Sequence, residues 1–385
     1  MRGTMNYTVT YLSALSQIEA KAWDSITKDA TPFMQYAFLN ALETSGCVQL
    51  STGWQPHHML IQHDNQLVAV LPLYIKYHSY GEYVFDHQWA QAYQHYNMRY
   101  YPKLLSSTPF TPVTGPRLVC TQPALFDSLL EFALQQIQLL CDTHGLSSWH
   151  CLFTPAAQTK SWQSVPLLKR TGVQFHWHNP GYESFDDYLA KLQSKKRKTI
   201  KRERRRIQEQ GIQHYWTQAG DMTNTDWLHF YQCYCATYVK RDQTPYLNLD
   251  FFQKIAVAKP HNVLCLMAKQ EDRLIASSLF FVSDTTLYGR YWGCLEEKDA
   301  LHFETCYYQG IEYAIRHSLA HFDAGAQGEH KISRGFEPIE TLSWHWINSP
   351  EFREPIRQYV TQESELVTAY HEECKTLLPF KQGFI

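Results

Sequence analysis

His58-Met59-Leu60-Ile61-Gln62-His63, a polar turn at Asp64-Asn65, and then Gln66-Leu67-Val68-Ala69-Val70 read as a β-hairpin, because apolar and β-branched residues flank a tight turn. The pattern returns 207 residues later, where Val263 to Ala268, a turn at Gln270-Glu271-Asp272 and Arg273-Leu274-Ile275-Ala276 repeat it. Upstream of the first hairpin, Trp23 to Ile26 precedes Pro32-Phe33 and a helical run from Phe38 to Glu43. Upstream of the second, Trp227 to Phe230 precedes Pro245-Tyr246 and the run from Phe251 to Ile255. Downstream, each half closes with a helix feeding a strand: Leu125 to Cys141 into Trp149 to Phe153, and Thr305 to His317 into His321 to Ala326. The shared order of helix, helix, hairpin, further strand, helix and strand predicts an α/β (α+β) protein made of two related domains. The turn signal His178-Asn179-Pro180-Gly181 places the boundary there, giving domains at residues 5–180 and 181–385.

The totals agree with two folded domains. A chain of 385 residues exceeds what one core usually supports, and 44% hydrophobic with 19% charged residues excludes wholesale disorder. Ten cysteines show no CxxC pair, so a disulfide framework and a structural zinc site are both excluded and a cytoplasmic, reducing location is expected. The apolar stretches are too short to span a bilayer. His57-His58, His95 and His176-Trp177-His178 lack ligand spacing, so no metal is expected.

Net charge is only −2, but it is unevenly spread. From Lys195 to Arg206 there are nine Lys or Arg and one acid, +8, leaving 26 basic against 36 acidic residues, −10, elsewhere. Ser184 is a suitable cap for a basic helix over 184–210 that opens the second domain, with Gly211 as its stop. Lys198 and Arg202 lie one turn apart on it and offer a defined anion site.

Several longer blocks carry a resemblance. His78-Ser79-Tyr80-Gly81-Glu82-Tyr83-Val84-Phe85-Asp86, Pro109 to Arg117 and Gln174 to Asn179 in the first half are similar to a FemAB-like family labelled peptidoglycan biosynthesis or recognition. So are Lys195 to Lys198, Leu287 to Gly293, Leu301 to Glu304 and Gly325 to Lys331 in the second. One departure stands out: Asp242-Gln243-Thr244 precedes Pro245-Tyr246 where a Trp-Gly pair is more usual in that family. The resemblance implies two tandem GNAT-like domains, mixed sheets flanked by helices, and an N-acyltransferase whose donor is aminoacyl-tRNA or acyl-CoA.

Acylating an amine requires a proton acceptor, donors for the oxyanion, and positive groups for an anionic carrier. His302 and Glu304 stand just before a predicted helix and are the candidate bases, with His330 assisting; a cap and an ordinary histidine are the structural alternative. The loop Gly325-Ala326-Gln327-Gly328-Glu329-His330-Lys331 follows a strand carrying Asp323, and with Arg334 it offers Gln327, Glu329 and Lys331 to a ligand. Arg290 and Tyr291 lie on the strand expected to face the oxyanion. The place where a GNAT pyrophosphate loop is usual reads Cys294 to Leu301, acidic and without glycines, which argues against acetyl-CoA. In the first half Asp86, Trp89, Tyr101 and Arg117 are candidates for lining a cleft between the domains, where a peptide or small-molecule amine acceptor is expected; ordinary core packing is the alternative. A tRNA partner is expected of the basic helix if it does more than solvate a face. The competing function is a non-catalytic binding protein for envelope precursors or RNA.

Overall fold

The computed structural model describes residues 6–326, 328–381 and 383. It divides into two compact units: one runs to Gly172 and takes in Glu340–Thr368, the other comprises Val173–Ile339 and the segment from Ala369.

In chain order the first unit holds β1 (Tyr7–Leu12), α1 (Ala20–Thr27), α2 (Tyr36–Thr44), β2 (Trp54–Pro56), β3 (His58–His63), β4 (Gln66–Leu71), β5 (Tyr74–Lys76), α3 (His87–His95), β6 (Lys103–Ser106), β7 (Val119–Cys120), α4 (Phe126–His144), β8 (Ser148–Thr154) and α5 (Thr159–Gln163). The hairpin β3–β4 sits in a four-stranded sheet ordered β1-β3-β4-β7. Pro72 follows β4, and with no N–H to donate it ends the strand, so β5 starts a separate sheet with β2, β6 and β8. β6 and β8 run parallel, which requires a crossover, and α4 supplies it. Phe126, Leu129, Leu130, Ala133, Leu134, Ile137, Leu140 and Cys141 of α4 are buried, whereas Leu139 faces solvent. Each such buried aliphatic contributes roughly 1.5–3 kcal/mol over an exposed one.

The second unit begins within β9 (Leu168–His178) and continues through α6 (Phe185–Lys191), α7 (Ser194–Glu209), β10 (Ile212–Gln218), α8 (Asn224–Val239), α9 (Leu249–Ala258), β11 (Val263–Gln270), β12 (Arg273–Val282), β13 (Thr286–Cys294), α10 (Leu301–Phe303), α11 (Gln309–Arg316) and β14 (His321–Asp323). Its strands are ordered β10-β11-β12-β13-β14-β9. β15 (Glu337–Ile347) and α12 (Pro350–Thr376) complete the chain, and β15 from Leu342 to Ile347 pairs with β8 in the first unit's sheet.

The internal repeat is visible strand by strand. β1 adds antiparallel to the first strand of one hairpin and β10 to the first strand of the other. Each hairpin has a register break, at Ile61/Gln62 and at Ala268/Lys269, and 268 − 61 reproduces the offset of 207. Each unit then has a parallel pair across a helical crossover, β6–β8 and β13–β14.

The basic segment departs from the single helix expected over 184–210. Ser184 does cap α6, accepting the Asp187 N–H at 3.1 Å. The helix then breaks at Leu192 and Gln193, both extended, and α7 starts afresh at Ser194. Burial of Leu192 explains the break: it bridges to Phe380, and the Gln193 N–H goes to the Pro379 carbonyl at 2.8 Å. No helix among the described residues is long and apolar enough to cross a membrane.

Candidate active site

Ala300, with φ of 65°, turns the chain into α10, and residues Glu304–Tyr308 then wind as a π-helical turn before α11 resumes. Such turns insert an extra residue into an α-helix and are frequent at functional sites. Here the turn lets Glu304, Thr305, Cys306, Tyr307 and Tyr308 all be buried in succession. Side chains from α7 and β10 hold it. Arg204 reaches the Glu304 carboxylate, Tyr308 OH donates to Glu203, and His214 Nε2 lies 2.8 Å from Thr305 Oγ1.

This scaffold places His302 among Trp292, Tyr307 and His330, with ring centroids 5.3, 5.2 and 5.7 Å away. His330 Nε2 shares a 2.8 Å hydrogen bond with Tyr307 OH. Burial, together with the positive potential of His330, Arg334 and Lys331, pushes His302 down to about 4, so its imidazole is neutral near pH 7. His302 borders a cavity of about 370 Å³ lined also by Thr237, Lys240, Arg241, Trp292 and Lys298. Sequence reasoning missed Lys240, Arg241 and Thr237, which lie on and just past the end of α8; the signal available was the Lys240-Arg241 pair itself.

Glu304 has a different setting from His302. It is 3% exposed, accepts from Arg204 Nε at 3.2 Å and from Gln309 Nε2 at 2.8 Å, and is not among the residues lining the cavity. Most cations proposed for an anionic ligand are likewise committed within the protein. Arg290 pairs with Asp323 through both Nη atoms, at 3.0 and 2.5 Å, and burial's upward push on Asp323 is outweighed by that guanidinium. Arg334 reaches Glu203 at 3.0 Å, Tyr308 OH at 2.8 Å and the His330 carbonyl at 2.8 Å, and lies over the Phe303 ring. Lys331 is 1% exposed, donates to the Gly325 carbonyl at 2.6 Å, and is lowered to about 8 by burial, with Asp323 resisting the shift.

Tyr291 packs between Tyr234 and Phe252, and the register with β12 skips Arg290, leaving a bulge in β13. Gly293 cannot carry a side chain, since a Cβ there would fall 1.6 Å from the Cys233 carbonyl oxygen of α8. Thr237 of the same helix caps the Trp292 carbonyl at 2.7 Å. Glu329 is exposed and accepts from Tyr370 OH at 2.8 Å, while Gln327 lies outside the described residues. The acidic loop after β13 is largely neutralised: Glu297 pairs with Lys240, Glu296 with Arg273 and Lys298, and Asp299 with Arg206. The cavity rim therefore carries three cations and one carboxylate, and the electrostatic case against a phosphate-bearing donor weakens.

On α7 the cations fall into two groups. Lys201, Arg204, Arg205 and Arg206 have carboxylate partners. Lys198 and Arg202 are exposed, as is Lys195, whereas Lys196 and Arg197 are half-buried, and none of these five forms an ion pair among the described residues.

In the first unit, Lys76 of β5 pairs with Lys103 of β6 and His150 of β8 with His345 of β15, and because His150 pairs with Leu105, two residues beyond Lys103, all four share one face. All four are buried, as are Glu82 and Asp86 opposite them. Asp86 bonds Lys103, Ser79 Oγ at 2.5 Å and Tyr100 OH at 2.6 Å, and Tyr101 OH joins Ser79 at 2.6 Å. Burial acts to raise Asp86, but Lys103 and His150 hold it well below the carboxylate range. Burial raises Glu82 to about 7 and lowers Lys76 to about 7, each against the pull of a neighbouring opposite charge. His150 and His345 meet Nδ1 to Nδ1 at 2.7 Å, and Trp89 packs edge-on to His345 beneath Arg170. Asp86 and Tyr101 thus share one polar network, against whose histidines Trp89 only packs its ring, whereas Arg117 stands apart from it, bound to the Leu152 and Val113 carbonyls. Among the described residues no group of three His, Cys, Asp or Glu is placed to hold a metal ion.

A sequence profile for FemAB-like proteins, described as peptidoglycan biosynthesis/recognition, matches residues 14–382. No match was found among curated proteins. Solved structures are similar at low identity. FemX superposes with a TM-score of 0.55 and 10% identity, covering 87% of this chain and 98% of that one. The C-terminal domain of a putative lysylphosphatidylglycerol synthetase from Agrobacterium fabrum gives 0.51 and 8%, covering 86% and 92%. A tandem GNAT protein from the clavulanic acid biosynthesis pathway gives 0.45 and 9%, covering 90% and 99%. At such identities the likeness is one of fold: mixed α/β, with sheets flanked by helices.

Proposed function

The chain belongs to the FemAB-like family of peptidoglycan biosynthesis or recognition, and from that premise we propose that it is an N-acyltransferase carrying an acyl or aminoacyl group to an amine. The observation that carries this reading is a neutral, half-buried His302 at the edge of a cavity rimmed by Lys240, Arg241 and Lys298. In the proposed reaction the amine nitrogen attacks the donor's carbonyl carbon, His302 takes the proton that the nitrogen sheds, and the carrier leaves with the electron pair of its bond to that carbon. The three cations hold the phosphate-bearing carrier, aminoacyl-tRNA or acyl-CoA. His330, fixed by Tyr307, is the second imidazole beside the reacting groups. Glu304 is assigned a positioning role through Arg204, since a carboxylate already saturated by hydrogen bonds is a poor acceptor for a further proton. The acceptor is a peptide or small-molecule amine.

The test is transfer of labelled acyl groups from a panel of aminoacyl-tRNAs and acyl-CoAs to amine acceptors. His302→Asn is expected to cut turnover about a hundredfold or more while leaving donor affinity unchanged. Transfer undiminished in that variant removes His302 from the mechanism. The five unpaired cations at the start of α7 favour a second reading, RNA binding without transfer, and salt-sensitive tRNA binding with no product from any donor would establish it.

A further inference from the structure

The turn of the second unit's hairpin, between β11 and β12, borders a further cavity of about 530 Å³, a size that suits a small molecule. It shares no lining residue with the cavity beside His302. One loop serves both: Leu295 and Glu296 line this cavity, whereas Cys294, Glu297 and Lys298 line the other.

The charged groups around it come as two opposed pairs. Lys269 Nζ lies 3.2 Å from Asp272 Oδ1, and Arg273 Nη1 lies 2.7 Å from Glu296 Oε1. A third carboxylate, Asp226, is spent on the cap of α8, where it accepts from the Thr223 N–H at 2.9 Å and the Thr223 hydroxyl at 2.7 Å. Asp272 and Arg273 are exposed, and ion pairs open to water contribute little, so a ligand displaces them at small cost.

This pattern selects the charge of the ligand. An anion is drawn to Lys269 and Arg273 but repelled by Asp272 and Glu296, and for a cation the signs reverse. A molecule carrying an ammonium and a carboxylate close together meets neither penalty. Set between Arg273 and Glu296, it exchanges one exposed contact for two, its carboxylate taking the guanidinium and its ammonium the Glu296 oxygen. Leu274 and Leu295 line the same cavity, and Leu295 is 45% exposed. That open apolar surface is covered when the ligand also carries an aliphatic chain.

We propose that this cavity is a second ligand site, which takes a free α-amino acid with an aliphatic side chain. It lies outside the proposed transfer site and is tested without a transfer assay.

Calorimetric titration of the full chain with L-leucine is compared with titrations using glycine, isocaproate and isoamylamine, which lack in turn the side chain, the ammonium and the carboxylate. Leucine is expected to bind saturably, and each of the other three at least about tenfold more weakly. Arg273→Gln and Glu296→Gln, both at the surface, are each expected to weaken leucine about tenfold. The proposal is overturned if leucine shows no saturable binding, if isocaproate or isoamylamine binds as tightly, or if both substitutions leave its affinity unchanged. Glycine binding as tightly as leucine overturns the aliphatic preference.

Discussion

Arg204 and Glu304 close an ion pair, with Nε 3.2 Å from one carboxylate oxygen and Nη2 3.1 Å from it, that fastens helix α7 to the π-helical turn carrying the site. Glu304→Gln is therefore expected to act on folding. Loss of the charge leaves Arg204 with Glu312 as its only carboxylate among the described residues and should lower stability by on the order of 1–3 kcal/mol. Urea denaturation beside turnover per folded molecule checks this. An unchanged unfolding midpoint with turnover lost would return Glu304 to the role of base.

Burial of His302 makes stability depend on pH in a stated direction. Its imidazole titrates near 4 in the folded chain against 6.5 in the unfolded one, so between these values the unfolded state binds a proton that the native state refuses. Stability is complete above pH 6.5 and falls as pH drops towards 4, by up to about 3 kcal/mol from this residue alone. His150 and His345, pushed well below 6.5 mainly by burial, act in the same direction. The measurement is thus the difference between the unaltered protein and His302→Asn, whose stability should decline less steeply across that window. Parallel curves would mean that His302 is solvated and freely protonated.

The hairpins and their repeat were legible because a two-residue side-chain period and tight turns are local features, and the offset of 207 survives in the register breaks. The helix break at Leu192 was not legible, since it depends on Phe380, 188 residues away. Partner choice was hidden for the same reason. His302 and Glu304 are two residues apart and looked equivalent, but Arg204 claims one while the other borders the cavity. Arg290 and Arg334 read as anion binders because Asp323 and Glu203, the carboxylates that occupy them, are distant in sequence.

The cavity rim makes a ranking prediction. Lys240 is tied to Glu297 at 2.8 Å, whereas Arg241 is exposed and forms no ion pair among the described residues. Arg241→Ala removes one attraction for a phosphate-bearing donor, but Lys240→Ala also releases the Glu297 charge at the rim. Donor KM should rise in both, by about tenfold in Lys240→Ala and less in Arg241→Ala, with kcat nearly constant. Equal effects, or a fall in kcat with KM fixed, would place the carrier's phosphates elsewhere.

The division of α7 into paired and unpaired cations predicts how RNA binding responds to salt. Each phosphate neutralised by a protein cation releases counterions, so the slope of log affinity against log salt counts the contacts made. Lys198 and Arg202 are free to make them, whereas Lys201 and Arg206 would first have to leave Asp186 and Asp299. Reversing both free residues, as Lys198→Glu with Arg202→Glu, should flatten the slope for tRNA by at least about 1.4, the value for two contacts on single strands, and nearer 1.8 on a duplex stem. Lys201→Ala with Arg206→Ala should change it by less than half as much. If the two pairs of substitutions act alike, binding follows net charge and α7 has no defined RNA face. If neither changes the slope, the five unpaired cations are a solvated surface and tRNA is not a ligand of this helix.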